Sequence, residues 1–486
     1  MRVTVLNPPY FKLYSRCSRS PAVTRSRTLY YPYWLAYAVG VLDEAGFEVQ
    51  FIDAPAMMMD EEEAVKKVVD FKPELLVVDS TTASFYNDAK ILSKIKKQTK
   101  SVSIMVGTHV SATAEESLRY CEDIDAIARK EYDYTVRDVA LKLSKGEDYY
   151  EGRGLSYLKD GQVVNNPDMP FIEDLDELPF VSKVYEKYLK SCYLSYFYGA
   201  NLHPIIVIIA GRGCPFTCVY CVYPQVMTGH KFRIRSVNNL VDELEYIKDT
   251  FPNIKEIFFE DDTFTINKQR VRDICDEIIR RGLRVTWSTN SRADVDFTTL
   301  DLMKKAGCRE LCVGFESGDQ KVLDNIGKKL KIEQQYKFSQ DARKAGIIVH
   351  GCFLVGNPGE TKETLQKTLD LAIKLNPDTA QFYPIMVYPG TMAYQWAENE
   401  GYLTTRKYDK WLTYDGFHNS VVERANLSHE ELVRWGNDAR RKFYLRPKYA
   451  FSKLKQMVAH PKEAKRIIMA ATTLSKHILF KRNAKY

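Results

Sequence analysis

Three cysteines within one short loop, Cys214, Cys218 and Cys221, carry the strongest chemical signal in the chain. They stand in Gly211-Arg212-Gly213-Cys214-Pro215-Phe216-Thr217-Cys218-Val219-Tyr220-Cys221, a Cys-x3-Cys-x2-Cys spacing with no fourth cysteine close by. A structural zinc site takes four ligands, commonly as two pairs. Closed cubane clusters take four thiolates. Three thiolates on one loop suit instead a [4Fe-4S] cluster whose fourth iron stays open to a small molecule. Zinc and a coincidence of core cysteines are the alternatives. Charged and small polar residues recur at similar places further on: Glu260-Asp261-Asp262, Ser288-Thr289-Asn290, Glu316-Ser317-Gly318 and the Gly/Pro-rich Gly356 to Thr361. Three consecutive acids are more than a solvated turn requires. Lys231, Arg233 and Arg235 alternate, so an extended backbone places them on one face for an anionic group or a solvated edge. Cys121, Cys275, Cys308, Cys312 and Cys352 lie in or beside apolar segments and read as buried small hydrophobes.

The elements that must hold these residues follow from periodicity. Short β-branched runs at Val3 to Leu6, Val49 to Ile52, Leu75 to Asp79, Ser103 to Val106 and Ala126 to Ala128 alternate with helix-length stretches. That pattern predicts a parallel, doubly wound α/β domain over residues 1–145. Ligands of such sheets sit outside the carboxyl ends of the strands. Those ends carry Asn7-Pro8-Pro9, Asp53-Ala54-Pro55, Asp79-Ser80-Thr81-Thr82 and Gly107-Thr108-His109, small turn-formers that suit a large flat ligand or are ordinary turns. Residues 146–200 lose the alternation and read as a connector with one small hairpin. A second series, with strands near Ile205 to Ile209, Glu256 to Phe259, Arg284 to Trp287, Glu310 to Val313, Val349 to Val355 and Thr379 to Tyr383, predicts a partial (βα)6 barrel over 201–400. Residues 401–486 read as a helical, basic extension.

Composition sets the limits. A chain of 486 residues with 45% apolar and 27% charged residues excludes disorder and fibrous folds and implies more than one core. The longest apolar run, Ile205 to Ala210, is strand-length, and Met1-Arg2-Val3-Thr4 enters a strand without a signal-peptide pattern. The expectation is a cytoplasmic protein whose ten cysteines are thiols or metal ligands. Formal charge is +7, yet residues 446–486 hold eleven Lys or Arg against one acid, Glu463. A basic tail on a near-neutral body suggests contact with an anionic surface. From Lys465 to Lys481, Ile467, Ala471, Leu474 and Ile478 fall at helical spacing, which predicts peripheral attachment to the inner face of a membrane or a packed helix with a solvated face. No nucleic-acid module accompanies the tail, and no nucleic acid is expected.

A cysteine triad of this spacing after the first strand of a partial barrel resembles the radical S-adenosylmethionine (SAM) superfamily. The resemblance implies that Cys214, Cys218 and Cys221 hold a [4Fe-4S] cluster, that the open iron is chelated by SAM, and that reductive cleavage gives a hydrogen-abstracting 5′-deoxyadenosyl radical. It further implies that Tyr220 packs beside adenine and that Glu260, Asp261 and Asp262 meet the methionine ammonium, without the pair of glycines the superfamily often has there. Ser288 and Asn290 would contact ribose or carboxylate, Glu316 the ribose hydroxyls, and Arg235 the SAM carboxylate. The preceding doubly wound domain resembles those that bind cobalamin, although no Asp-x-His-x-x-Gly motif occurs and His109 stands only in a loop similar to the family's. A narrower resemblance rests on Tyr31-Pro32-Tyr33-Trp34-Leu35-Ala36, Tyr223-Pro224-Gln225, Gly229 to Ser236, Phe259 to Thr265 and Phe443 to Pro447. These stretches resemble hopanoid-associated cyclitol ether synthases and archaeal calditol synthase. The implied reaction is ring contraction of a sugar on a membrane glycolipid, driven by a low-potential ferredoxin or flavodoxin-type donor. Two other readings are a cobalamin-dependent methyltransferase acting on a lipid or other unactivated carbon, and a non-catalytic iron-sulfur or corrin redox sensor.

Overall fold

The structure is a computed structural model that describes residues 1–459 and, beyond them, positions 464, 467, 468 and 472. The segment from Lys465 to Lys481, expected to form a basic amphipathic helix, therefore lies outside the described residues apart from Ile467, Ile468 and Thr472.

Strand β1 (Arg2–Asn7) buries Val3, Val5 and Leu6 completely. It pairs in parallel on one side with β2 (Glu48–Asp53) and on the other with β3 (Leu75–Asp79). Strands β4 (Val102–Val106) and β5 (Ala126–Ala128) extend the parallel sheet. The hairpin expected in the connector, β6 (Leu155–Lys159) and β7 (Gln162–Asn165), does form, and it joins this sheet antiparallel to β5. The order β2-β1-β3-β4-β5-β6-β7 makes a mixed, seven-stranded sheet. All five residues of β3 are buried, as a central parallel strand covered on both faces requires.

The second series opens with β8 (Ile205–Ile208), which leads into a short antiparallel ribbon of β9 (Gly211–Arg212) and β10 (Arg233–Ile234) around the cysteine loop. Strands β11 (Glu256–Phe259), β12 (Trp287–Ser291), β13 (Cys308–Glu316), β14 (Ile348–Val355) and β15 (Thr379–Pro384) follow, and the order β15-β14-β13-β12-β11-β8 is parallel throughout. This is the open, six-stranded barrel the sequence predicts. Its helices start at readable caps. The side chains of Ser236, Asn267, Asp296 and Thr361 each accept a backbone N–H three residues on, a device that contributes about 1 kcal/mol apiece.

One strand is displaced from the expected run. Leu283 N–H still closes on Ile278 O at the end of the preceding helix, residues 283–286 are irregular, and β12 begins only at Trp287 opposite Ile257. Ser288 and Asn290 thus lie inside β12, not beyond its end. Among the described residues the C-terminal region carries two α-helices, His429–Tyr444 and Pro447–Ala459; before these, residues 402–427 form turns, isolated bridges and one 3-10 turn at Tyr408–Trp411.

Candidate active site

One cavity of about 2110 Å³ runs through the barrel lumen, from the cysteine loop at the carboxyl ends of the strands to Asn201, Glu310 and Thr379 toward their amino ends. The three cysteines line it together, all as free thiols. Their loop is held from several sides. Val219 N–H bonds to Ile326 O (3.1 Å) and Ala393 N–H to Val219 O (2.9 Å). Gln225 donates its amide to three carbonyls at once, those of Cys218 (3.2 Å), Val219 (3.2 Å) and Cys221 (2.9 Å), while its oxygen accepts from Met392 N–H (2.8 Å). His230 Nδ1 lies 3.0 Å from Cys214 O, and the Arg292 guanidinium stacks 3.6 Å over the Phe216 ring. Gly213, at φ +87°, passes so close to the neighbouring strand that a Cβ would stand 2.2 Å from Lys231 O. Gly327 has the same role on the opposite side, where a Cβ would meet Thr217 O at 2.6 Å.

Around the cysteines, the cavity gathers Tyr220, Glu260, Asp262, Asn290 and Glu316. Tyr220 Oη donates to Glu316 Oε1 at 2.9 Å, and the same carboxylate oxygen pairs with buried Lys328 at 2.8 Å. Glu316 has φ +65° after a bulge in β13, and its second oxygen, Oε2, is buried without a partner. A non-glycine residue held in the left-handed region, with an orphaned carboxylate oxygen in the wall of a cavity, is poised for a ligand. Burial works to lower the Lys328 ammonium, but adjacent Glu316 and Cys218 leave it raised, so it stays charged. Glu260 is ion-paired with Arg19, a residue of the N-terminal segment that sequence reasoning missed, and accepts from Asn290 Nδ2 at 3.3 Å. Asp262 accepts from Thr228 Oγ1 at 3.0 Å.

Three expected ligands are not brought to the cavity. Asp261 turns away, its Oδ1 accepting Ala210 N–H at 2.6 Å, and burial pushes its carboxyl up to about 7. Ser288 is fully buried and accepts from Asn201 Nδ2 at 2.6 Å, in a network with Glu256 at the amino end of the barrel. Arg235 is consumed by Glu243, Ile209 O and Asn239. The alternating cations divide by burial. Arg233 pairs with Glu131 of the N-terminal domain and Arg212 with Asp133, whereas exposed Lys231 pairs with Glu173. The two arginine pairs join the two domains, so the acids of the Glu131-Tyr132-Asp133 turn are the partners that alternation alone did not reveal.

At the N-terminal sheet, the strand-end loops expected to meet a large flat ligand keep two buried polar atoms without partners, Ser80 Oγ and His109 Nδ1. His109 packs between Phe85 and Tyr408, ring centroids 4.7 and 4.6 Å away, and burial lowers its pKa to about 3, so it is neutral. The segment before the first helix lies over the same edge. Tyr14 Oη bonds to Thr81 Oγ1 at 2.8 Å, and the buried Arg16 guanidinium bonds to Asn7, Pro8 O and Asp88.

A partial barrel with three thiols on the loop after its first strand, and carboxylates at the following strand ends, defines a radical SAM enzyme. The comparisons with known proteins agree and go one step further. The model of the radical SAM superfamily matches residues 208–372, and that of the B12 binding domain matches residues 19–140. An uncharacterized methyltransferase of Pyrococcus horikoshii is 34% identical over 420 residues, which are 86% of this chain and 88% of the relative. The anaerobic magnesium-protoporphyrin IX monomethyl ester cyclase of Rubrivivax gelatinosus is 30% identical over 373 residues, 75% of this chain and 66% of the relative. Among solved structures, the radical SAM methyltransferase TsrM of Kitasatospora setae, with tryptophan and a SAM analogue bound, superposes with a TM-score of 0.66 at 19% identity, covering 83% of this chain and 77% of that one. The chain belongs to the radical SAM superfamily, in the group that carries a B12 binding domain before the barrel.

The cofactors of that group are a [4Fe-4S] cluster, SAM and cobalamin, and the residues present fit them. Cys214, Cys218 and Cys221 are the donors for the cluster. Glu316, with its orphaned oxygen, and Tyr220, Glu260 and Asn290 around the same cavity would hold SAM. The Ser80 and His109 loops, each with an unpaired polar atom, would meet the corrin. These matches define the cobalamin-dependent class and not the narrower cyclitol-forming group. Among the described residues no helix is long and apolar enough to cross a membrane.

Proposed function

We propose that this chain is a cobalamin-dependent radical SAM methyltransferase acting on an unactivated carbon of a large amphiphilic substrate. The observation that carries this reading is the single cavity that joins the three cysteines and the Glu316 cluster to a lumen far larger than the roughly 300–1,000 Å³ usual for small-molecule pockets. Its chemistry is supplied, when they are bound, by SAM with the cluster and by cobalamin as methyl carrier. The protein positions and shields. Gln225 keeps the loop carbonyls in register, Arg19 and Asn290 fix the Glu260 carboxylate, and Lys328 and Tyr220 orient Glu316 so that one oxygen remains available. Holding a reacting carbon against a fixed partner in a dry cavity is where most of the rate advantage arises. The relative named a methyltransferase supports this choice.

The amphiphilic character follows from the cavity mouth. Arg27, Arg434 and Arg441 line it beside Leu445 and Leu454, which are 59% and 56% exposed. A cationic rim next to bare apolar side chains suits a lipid with a polar headgroup, and the basic tail would hold the protein at such a surface. Ring contraction of a glycolipid sugar is the second reading, favoured by the same rim and by the narrower sequence resemblance. An electron donor of the ferredoxin or flavodoxin type belongs to both. The test is an anaerobic incubation of reconstituted protein, cobalamin, methyl-labelled SAM and reductant with glycosylated membrane lipids. A labelled product heavier by one CH2, with S-adenosylhomocysteine, supports methyl transfer; an unlabelled product of unchanged mass moves the assignment to rearrangement.

A further inference from the structure

Deep in the same lumen, away from the cysteine loop, Cys312 on β13 and His350 and Cys352 on β14 present their side chains to the cavity. All three are half-buried, and one ligand atom from each lies within 4.8 Å of the others. The two sulfurs are 3.7 Å apart. Strand geometry explains the grouping. His350 and Cys352 are two residues apart and share a face, and Cys312 pairs directly with His350 in the ladder.

We propose that Cys312, His350 and Cys352 form a zinc site with its fourth position open to the cavity. Two sulfurs bound at about 2.3 Å in a tetrahedron are about 3.8 Å apart, close to the observed edge. The competing reading, a disulfide, fits less well. Cys352 pairs with Gly314, so the two cysteines are diagonal neighbours, roughly 7–8 Å apart at Cα, beyond the usual disulfide range of about 4.4–6.8 Å. The donor set, two thiolates and an imidazole, is that of a soft, tetrahedral site. The imidazole is already oriented. His350 Nδ1 lies 2.7 Å from Thr379 Oγ1, the outer hydrogen bond that ligating histidines make, and Nε2, 3.4 Å from Gln381 Oε1, would exchange that longer contact for the metal.

Three protein ligands and an open position are the pattern of zinc that binds a substrate rather than one that staples a fold. The atom it would take is an oxygen donor, a hydroxyl or carbonyl, on the occupant of the lumen. Cys312 stands four residues before Glu316 on β13 and Cys352 is level with Gly314, two residues before it, so the site lies roughly 7–13 Å along the strand from Glu316. The metal would anchor the far end of a substrate whose reacting end lies beside Glu316. None of this depends on which group the enzyme transfers.

The test uses the full chain, purified anaerobically, loaded with iron and sulfide, given zinc and desalted. Metal content is measured together with zinc X-ray absorption. The expected result is about one zinc per chain beside a full iron complement, with two sulfur neighbours at about 2.3 Å and a nitrogen at about 2.0–2.1 Å. Cys312→Ser, Cys352→Ser and His350→Gln should each lower zinc at least fivefold while iron is retained, which also shows that the variant has folded. Cys218→Ala should lose iron and keep zinc. Iron-loaded wild type without zinc would overturn the proposal, as would zinc that survives in both serine variants or that disappears with Cys218→Ala. Should the lumen variants fail to fold, the sulfur count around zinc in wild type, compared with Cys218→Ala, still decides.

Discussion

Arg19 crosses from the N-terminal segment to pair with Glu260 at the end of β11, placing one guanidinium against the carboxylate and against the backbone oxygen of Asp261 at 2.7 Å. The B12 binding domain thereby reaches into the SAM side of the barrel. Burial raises the Glu260 carboxyl and Arg19 opposes that rise. Arg19→Ala should therefore raise the Glu260 pKa further and weaken SAM binding about tenfold or more, with a loss that grows as pH falls toward the new value. Arg19→Lys should recover part of it. Isothermal titration with SAM across pH measures both; pH-independent, unchanged affinity in Arg19→Ala would remove this pair from the site.

Gln225 is a positioning residue for the cysteine loop. Gln225→Ala removes the amide nitrogen whose two N–H groups are shared among three loop carbonyls, and the acceptor for Met392, at about 0.5–1.5 kcal/mol net for each lost bond. Gln225→Glu keeps the shape and loses the donors. Both variants should fold and should show faster cluster loss on mild chelation than wild type, read as decay of visible absorbance. Equal decay rates would contradict the role.

Glu316 is held at φ +65° by the Lys328 ion pair and the Tyr220 hydroxyl. Glu316→Gln strips the charge from a buried pair, so Lys328 is left uncompensated, a change that costs on the order of 3–5 kcal/mol when fully buried. SAM affinity should fall at least tenfold. Tyr220→Phe, which removes one hydrogen bond, should cost only about 1 kcal/mol. Titration of SAM into each variant gives the ranking.

Asp261 supplies a pH signature. Its carboxyl sits at about 7 because it is buried, well above its ordinary 3.8. The protonated form is the one the fold favours, so its contribution is complete below the ordinary carboxylate range and is lost as pH rises through about 7. Asp261→Asn keeps an acceptor for Ala210 N–H and cannot ionise. Wild type should lose up to about 4 kcal/mol through this group between about pH 4 and 7, and Asp261→Asn should show a shallower fall of its denaturation midpoint over that range, the remaining slope coming from Asp79, Glu360 and Asp53, which burial also raises. Parallel curves for the two proteins would remove Asp261 as the cause.

Much of this arrangement is legible in the residues themselves. The cysteine spacing, the alternating strand runs and the capping side chains Ser236, Asn267, Asp296 and Thr361 are local signals, and the structure keeps them. What the sequence hides is pairing across long separations. Arg19 meets Glu260 across 241 positions, and Arg233 meets Glu131 across 102, so neither partner is predictable from alternation. β-Branched Val285 and Thr286 imitate a strand, whereas β12 starts only at Trp287, which sets Ser288 inside the strand and not at its end. Cys312 and Cys352 read as core because their neighbours are apolar; only the lumen-facing side of each strand shows that they share a cavity with His350.

The central claim is reductive SAM chemistry at Cys214, Cys218 and Cys221. Its most direct test is to reconstitute the chain anaerobically, reduce it with dithionite in the presence of SAM and cobalamin, and quantify iron, bound corrin and SAM-derived products. About four irons per chain, bound corrin, and 5′-deoxyadenosine or S-adenosylhomocysteine formed by wild type but by none of the three Cys→Ala variants is the predicted result. A fully loaded protein that leaves SAM intact, or a Cys218→Ala variant that still consumes it, would contradict the account.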